Sequence, residues 1–519
     1  MSSNQEVYHV HPYGWENDPE EERHPISCLD YVVPFNYHIF GLYFRVDDAN
    51  KRKAVEGLRH GLARTLSQTR HLCGNIEKDP QGVSGYSFVR RKTSTVELHV
   101  QWLDSPDDAD KYPSMDDMEQ SHFSTQRLGK LDLWIIPHLA YGPRPEPHRD
   151  ARPILLALKA NFVRGGLLLN AHIHHAANDA GGWAGFTHQL AENCSAFLTG
   201  SPYPSWDMSC LDISRLIKPN VPEDQTIERG PWIPDDLLSS PVPVSGGKQI
   251  LIFHLPKSKA AGLKAYAAPS PDTPYPYPSG SQPPENVDRT GFVSTYDAMA
   301  ALLYRTLTRL RLQHYPASLR PSVASRTPAW LSIVDMRQRL GFPPRVQHNV
   351  VLAARTHGPE APPGVVHPTA REVAVTWPVG RLARWARTMT EATGTREMVD
   401  GIVDDFSRVG DKTRLFTDVH NLPALTVFLT DHRGVGMVET GKSRGARFGF
   451  GKVVGYRHIW GRVNPGVVVV YEPREGGEDE GMEITVAVES QVGRELVQGW
   501  EWRRWFEYRG VDWDTEKEV

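Results

Sequence analysis

Residues 165–183 read GGLLLNAHIHHAANDAGGW, and this stretch sets the fold expectation. Gly165 to His174 is an apolar run ending in alternating residues, which predicts a strand. A short polar turn follows. Beyond it Trp183, Phe186, Leu190, Cys194 and Phe197 recur at helical spacing. Strand, turn and helix in that order belong to an α/β fold, and such a turn is where side chains meet a ligand.

That turn also carries the densest chemistry. His172, His174 and His175 fall within four residues, and Asp179 follows His175 by four. A neutral imidazole, with a pKa near 6.5, is the side chain best suited to take a proton from a substrate at neutral pH. Asp179 could orient it or brace the loop, and Gly181 and Gly182 would permit a tight turn and a close ligand. A competing reading uses His172 and His174, alternate residues of one strand face, as paired metal ligands. No second cluster supplies further ligands, so no metal is expected.

Outward from this segment, Val55, Leu58, Leu62 and Leu66 predict a helix. Ser294, Thr295 and Asp297 are N-cap types ahead of a stripe at Met299, Leu303, Leu307 and Leu310. Met482, Ile484, Val486 and Val488 alternate as a strand. Between the halves Pro269 to Pro284 reads PSPDTPYPYPSGSQPP, which excludes helix and central strand and predicts a linker or long loop. The expected organisation is a lobe over 1–245, a crossover and proline-rich linker over 246–290, and a second lobe over 291–519. Asp104 to Glu119 is aspartate-rich and is expected as an acidic loop without calcium-loop spacing.

The chain has 519 residues, with 58 Lys plus Arg against 62 Asp plus Glu and a net charge of −4. That balance, with no dense basic stripe, argues against nucleic-acid binding. Hydrophobic residues make up 39%, enough for sizeable cores. No run approaches the ~20 apolar residues of a membrane span, and MSSNQEVYHV lacks a secretory pattern. An intracellular, cytoplasmic protein is the expectation. Cys28, Cys73, Cys194 and Cys210 form no C-x-x-C pair and are expected as reduced thiols.

A second motif, ARFGFGKVV from Ala446 to Val454, has Gly449, Gly451 and Gly455 in a GxGxxxG spacing. The residues after it look extended, so the helix N-terminus of a dinucleotide site is absent and a tight turn is the better reading. Together the two motifs carry a resemblance. His175 to Asp179 resembles the HxxxD signature of BAHD-type acyl-CoA-dependent acyltransferases, and Phe448-Gly449-Phe450-Gly451-Lys452 resembles their DFGWG motif. Ile26 to Asp30 is similar to the family's LSxLD opening, Ser294 to Asp297 to its STxD helix start, and Val334 to Arg339 with Asn349 to its central arginine segment. The chain looks like the branch of fungal trichothecene acetyltransferases. It departs from the pattern at Arg447 (family Asp), Phe450 (Trp) and Ala180 (Gly), and the first departure bears on how the lobes dock.

The resemblance implies a two-lobed α/β fold of the chloramphenicol-acetyltransferase type, each lobe a mixed sheet flanked by helices, with a channel between them. It implies acyl-CoA as co-substrate and a small-molecule acceptor, in a monomer. His175 would be the general base. Asp179 would serve the loop's architecture, paired with Arg337 or Arg339. Lys257, Ser258, Lys259 and Lys264 are the expected CoA contacts. The rival readings are a carrier-protein-dependent condensation enzyme, a non-catalytic binding relative and a metal-dependent hydrolase.

Overall fold

The computed structural model describes the chain except residues 1–3, 83, 109, 141–145, 220, 223–224, 228–245, 279–286, 289, 359–360, 416–421, 441–444, 462–463 and 516–519. Residues 279–284 of the expected linker, and the expected lobe boundary at 245, lie outside the described residues.

A hairpin sits at the centre of the first sheet. Leu156–Val163 and Gly166–His174 pair antiparallel around a two-residue turn in which Gly165 takes φ +72°, a conformation that glycine adopts without strain. From edge to edge this sheet runs Gln5–Val10, Val96–Trp102, Leu156–Val163, Gly166–His174, Tyr37–Arg45 and Lys452–His458. The two faces of Gly166–His174 differ, as a period of two requires. Leu167, Leu169, Ala171 and Ile173 belong to the main core. On the other face Asn170 and His172, with Lys159 and Asn161 of the neighbouring strand, bond backbone carbonyls of the covering segment 133–139.

The second sheet runs Val351–Arg355, Trp330–Asp335, Val427–Asp431, Val467–Tyr471, Met482–Glu489, Lys248–Leu255 and Glu507–Asp514. It is mixed, with a parallel set from Trp330–Asp335 through Val467–Tyr471 and antiparallel pairs elsewhere. Helices Thr295–Gln313 and Val379–Thr393 flank it. Ser294 caps the first of these in a reciprocal capping box with Asp297, which the N-cap residue types foretold. A small sheet of Glu21–Pro25, Tyr86–Arg91 and Asn75–Lys78 completes the set.

The chain does not divide at the proline stretch. Lys248–Leu255, inside the expected crossover, is an interior strand of the second sheet, and Lys452–His458, from the expected second lobe, is an edge strand of the first. Each half lends hydrogen-bonding backbone to the other, so contiguous spans do not describe the sheets. The aspartate-rich stretch is also more than a loop: Ser114 and Asp117 form a capping box on the helix Met115–Gln120.

Helix Ala180–Thr199 packs against Lys51–Gln68 at very short range. A Cβ on Gly61 would stand 2.3 Å from Cys194 Sγ and 2.8 Å from its backbone nitrogen. Gly61→Ala is therefore expected to destabilise the protein by about 3 kcal/mol through overpacking, outweighing the roughly 1 kcal/mol that Ala gains over Gly in a helix. Urea unfolding of the variant measures the difference.

Candidate active site

The hairpin strand ends at His174, and the polypeptide leaves the sheet one residue later. His175 is fixed through its backbone on both sides: its N–H donates to the Asn36 carbonyl at 2.9 Å, and its carbonyl accepts from Asn349 Nδ2 at 2.9 Å. Its ring is half-buried and lines a cavity of about 270 Å³ whose walls come from both sheets, including Phe40, Ile333, Leu352, Thr430, His458 and Val469. Among the described residues the enclosed His175 Nδ1 meets no well-aligned hydrogen-bond partner. Burial pushes the imidazole below its ordinary 6.5, while its own carbonyl and the Asp179 carboxylate act in the opposite direction.

Asp179 is spent on architecture. Its Oδ1 accepts from the Gly182 N–H (2.8 Å), capping helix Ala180–Thr199, and from Arg337 Nη2 (2.7 Å). Its Oδ2 accepts from Arg337 Nη1 (3.0 Å) and from the Val350 N–H (2.8 Å). Burial alone would raise its pKa, but the Arg337 charge and these donors hold it below the usual carboxylate value. Arg337 is the partner; Arg339 instead donates to the Thr390 carbonyl, at 3.2 Å. Gly181 and Gly182 lie in the first helical turn, and the groups that approach them belong to the protein. A Cβ at Gly181 would meet Arg337 Nη1 at 2.6 Å, and one at Gly182 would meet Asn178 Oδ1 at 2.3 Å.

A polar clamp continues from this pair. Asn178 Oδ1 accepts from the His348 N–H at 2.7 Å. Buried Asp30 accepts from Asn349 N (2.8 Å) and Nδ2 (2.9 Å) and contacts His348 Nδ1 at 3.0 Å. The opening and central motifs thus meet at the loop that presents His175.

The other histidines of the motif take different roles. His172 Nδ1 bonds the Leu139 carbonyl (2.7 Å) and His174 Nε2 the Pro147 carbonyl (2.8 Å). Both rings satisfy backbone carbonyls of segments that cover the sheet, Leu139 for one and Pro147 for the other. Among the described residues no group of His, Cys, Asp or Glu is arranged to hold a metal, and the four cysteines are buried free thiols.

Phe448, Gly449, Phe450 and Gly451 dock the second half on the first. Phe448 and Phe450 pack on Phe44, with ring centroids 5.0 and 5.4 Å away. Gly449, at φ +80°, has Ser195 Cα 2.9 Å from where a Cβ would be, and Gly451 has the Arg45 carbonyl at 2.5 Å. Arg447 points to the surface and pairs with Glu439 at 3.3 Å, so this docking proceeds on the rings and glycines.

Lys257, Ser258, Lys259 and Lys264 share the short helix Lys257–Tyr266, away from the cavity lining. Ser258 donates to Asp479 at 2.7 Å, Lys259 pairs with Glu507 at 3.5 Å, and Lys264 Nζ stands over the Phe292 ring at 4.4 Å.

What sequence reading missed is a group of imidazoles around His175. His38 meets its ring edge-on, with centroids 4.3 Å apart. His458 lies 6.0 Å from His38 and 4.9 Å from His432. All four line the cavity. The only early signal was that His458 and His432 flank the second motif, and neither has a local companion.

This arrangement has relatives. The family model described as the trichothecene 3-O-acetyltransferase-like N-terminal domain matches residues 37–194. Acetyltransferase FGR3 of Gibberella zeae is 44% identical over 513 residues, which cover 98% of this chain and 95% of that protein. The chain belongs to the trichothecene 3-O-acetyltransferase-like acyltransferases. Trichothecene 3-O-acetyltransferase TRI101 of Fusarium sporotrichioides is 26% identical over 310 residues, 59% of this chain and 61% of that one. The crystal structure of F. graminearum TRI101 complexed with ethyl coenzyme A superposes with a TM-score of 0.69 at 18% identity, covering 94% of this chain and all of that one. The expected two-lobed α/β acyltransferase fold is therefore the fold of this member of the family. Among the described residues no helix is long and apolar enough to cross a membrane.

Removing one member of the Asp179–Arg337 pair leaves the other charge buried. Arg337→Met is expected to cost about 3–5 kcal/mol in stability, whereas Arg339→Ala should stay within about 0.5 kcal/mol. Chemical denaturation of the two variants, side by side, checks both values.

Proposed function

We propose that the protein transfers an acyl group from acyl-CoA to a hydroxyl of a small secondary metabolite, with His175 as general base. One observation carries this reading: the His175 ring borders a cavity between the two sheets while its backbone is clamped on both sides. The relatives support the transferase class and the kind of acceptor, since one is named an acetyltransferase and another a trichothecene 3-O-acetyltransferase. Acetyl is the donor group those names favour.

In the proposed step the acceptor oxygen attacks the thioester carbonyl carbon as His175 removes the hydroxyl proton. With Nδ1 enclosed, Nε2 is the nitrogen assigned to that transfer. The tetrahedral adduct then collapses, the C–S bond breaks, and the imidazolium returns its proton to the CoA thiolate. Proton and electron pair balance without a covalent enzyme intermediate. The apolar walls of the cavity suit an acceptor with a large hydrocarbon surface. For the nucleotide end of CoA, the helix bearing Lys257, Ser258, Lys259 and Lys264 is the proposed contact, because it gathers three cations on one exposed element.

His175→Ala should lower kcat/KM by roughly 10² to 10⁴, the usual contribution of a general base, with unfolding stability retained. Turnover at the wild-type rate would end the assignment. Because burial depresses the imidazole pKa, kcat/KM should climb with pH as His175 loses its proton, with the midpoint of the rise below the ordinary histidine value of about 6.5. A pH–rate profile whose acid limb has its midpoint above neutrality contradicts that reading. Charge removal at Lys257 and Lys259 should weaken CoA binding most at low salt, as followed by calorimetric titration; unchanged affinity discards that contact.

A further inference from the structure

His432 follows the strand Val427–Asp431 and is almost fully buried. Among the described residues its two ring nitrogens each have one partner: Nδ1 lies 2.7 Å from the Tyr456 hydroxyl, and Nε2 lies 3.0 Å from Thr430 Oγ1. Thr430 is half-buried and lines the same cavity as His175. Burial pushes His432 down to about 4 and Tyr456 well above its ordinary value, so the imidazole and the phenol are both neutral at physiological pH.

A neutral imidazole donates from one nitrogen and accepts at the other, so only two hydrogen-bond patterns are open. In the first, His432 Nδ1–H donates to Tyr456 and Thr430 donates to Nε2. The phenolic hydrogen then needs another acceptor, and Tyr456 is 1% exposed with His432 as its only side-chain hydrogen-bond partner among the described residues. A buried donor would be stranded, which folded proteins avoid. In the second, Tyr456 donates to Nδ1 and Nε2–H donates to Thr430 Oγ. Every buried donor is then used. The Thr430 hydroxyl has already accepted from within the protein, so its own hydrogen is free to turn toward the cavity.

We propose that Tyr456 and His432 are positioning residues that lock the Nε2–H tautomer and commit the Thr430 hydroxyl to donate into the cavity. The oxygen it would meet is the thioester carbonyl oxygen as it takes up negative charge, which requires a donor already aimed. No covalent step occurs at His432, which neither gains nor loses a proton. This role rests on the acyl-transfer reading given above, whereas the tautomer itself does not.

Two measurements test it. In protein carrying isotope-labelled histidine, long-range proton–nitrogen correlation spectra, with His432 assigned by its loss in His432→Gln, should show the Nε2–H form. Finding Nδ1–H overturns the proposal whether or not the enzyme turns over. In kinetics, Thr430→Val should lower kcat by about 10²-fold, as the loss of one such donor does, with little change in the KM of either substrate, and Thr430→Ser should recover most of it. Tyr456→Phe should lower kcat about tenfold in the wild-type background but leave Thr430→Val unchanged. An equal loss in both backgrounds makes the phenol merely structural and removes the relay. If His175→Ala keeps full turnover while the Nε2–H form is observed, the base assignment fails and the tautomer lock stands.

Discussion

The cavity depends on one buried ion pair, Asp179 with Arg337. Taking either charge out of water alone costs several kcal/mol, and only a complete set of partners offsets that. The partners here come from separate parts of the chain: the Gly182 N–H at the start of a helix on the first sheet, the Val350 N–H beside an edge strand of the second, and an arginine that also donates to the Val346 and His348 carbonyls. Satisfying one carboxylate therefore fixes the helix start, the 346–350 segment and the turn bearing His175 in a single geometry. It also explains the two glycines after Ala180, since side chains there would occupy the space of the guanidinium and of Asn178.

Much of this was legible because it is local. The strand, turn and helix around residue 175 follow from apolar period alone, and Ser294 with Asp297 announced a capping box that formed. Asp30, Arg337 and Asn349 were readable as members of family motifs, although only the fold shows that Asn349 joins Asp30 to the His175 carbonyl. The imidazoles at 38, 432 and 458 were not readable, because they come from three segments far apart in sequence and carry no shared spacing. The partners of His172 and His174 were hidden for a related reason: alternation places the two on one face but does not say that loop carbonyls wait there. The halves could not be cut correctly either, since strand exchange between sheets leaves no mark on composition.

Arg447 shows how a motif tolerates a reversed charge. The side chain stands at the surface with Glu439, where an ion pair is worth little. The aromatic faces of Phe448 and Phe450 against Phe44, and two glycines too close to neighbouring backbone for any side chain, hold the halves together at this point. A position that contributes through solvent can change sign, whereas one that contributes through contact distance cannot gain an atom.

The pairing of Asp179 also bears on the imidazole four residues earlier. An isolated carboxylate at that range would favour the protonated ring and raise its pKa, so that a base at 175 would already be occupied at neutral pH. Asp179 does act on the ring in that direction, but burial outweighs it and holds His175 below its ordinary value. His38, His432 and His458 are driven to the neutral form by the same desolvation. Apolar side chains and these neutral imidazoles thus form much of the cavity wall, beside the Asp179–Arg337 pair and Asp335, Arg355 and Asp431, a setting in which charge that develops on a reacting oxygen meets oriented dipoles. The ion pair that holds the walls in place also leaves the carboxylate four residues beyond that ring fully paired.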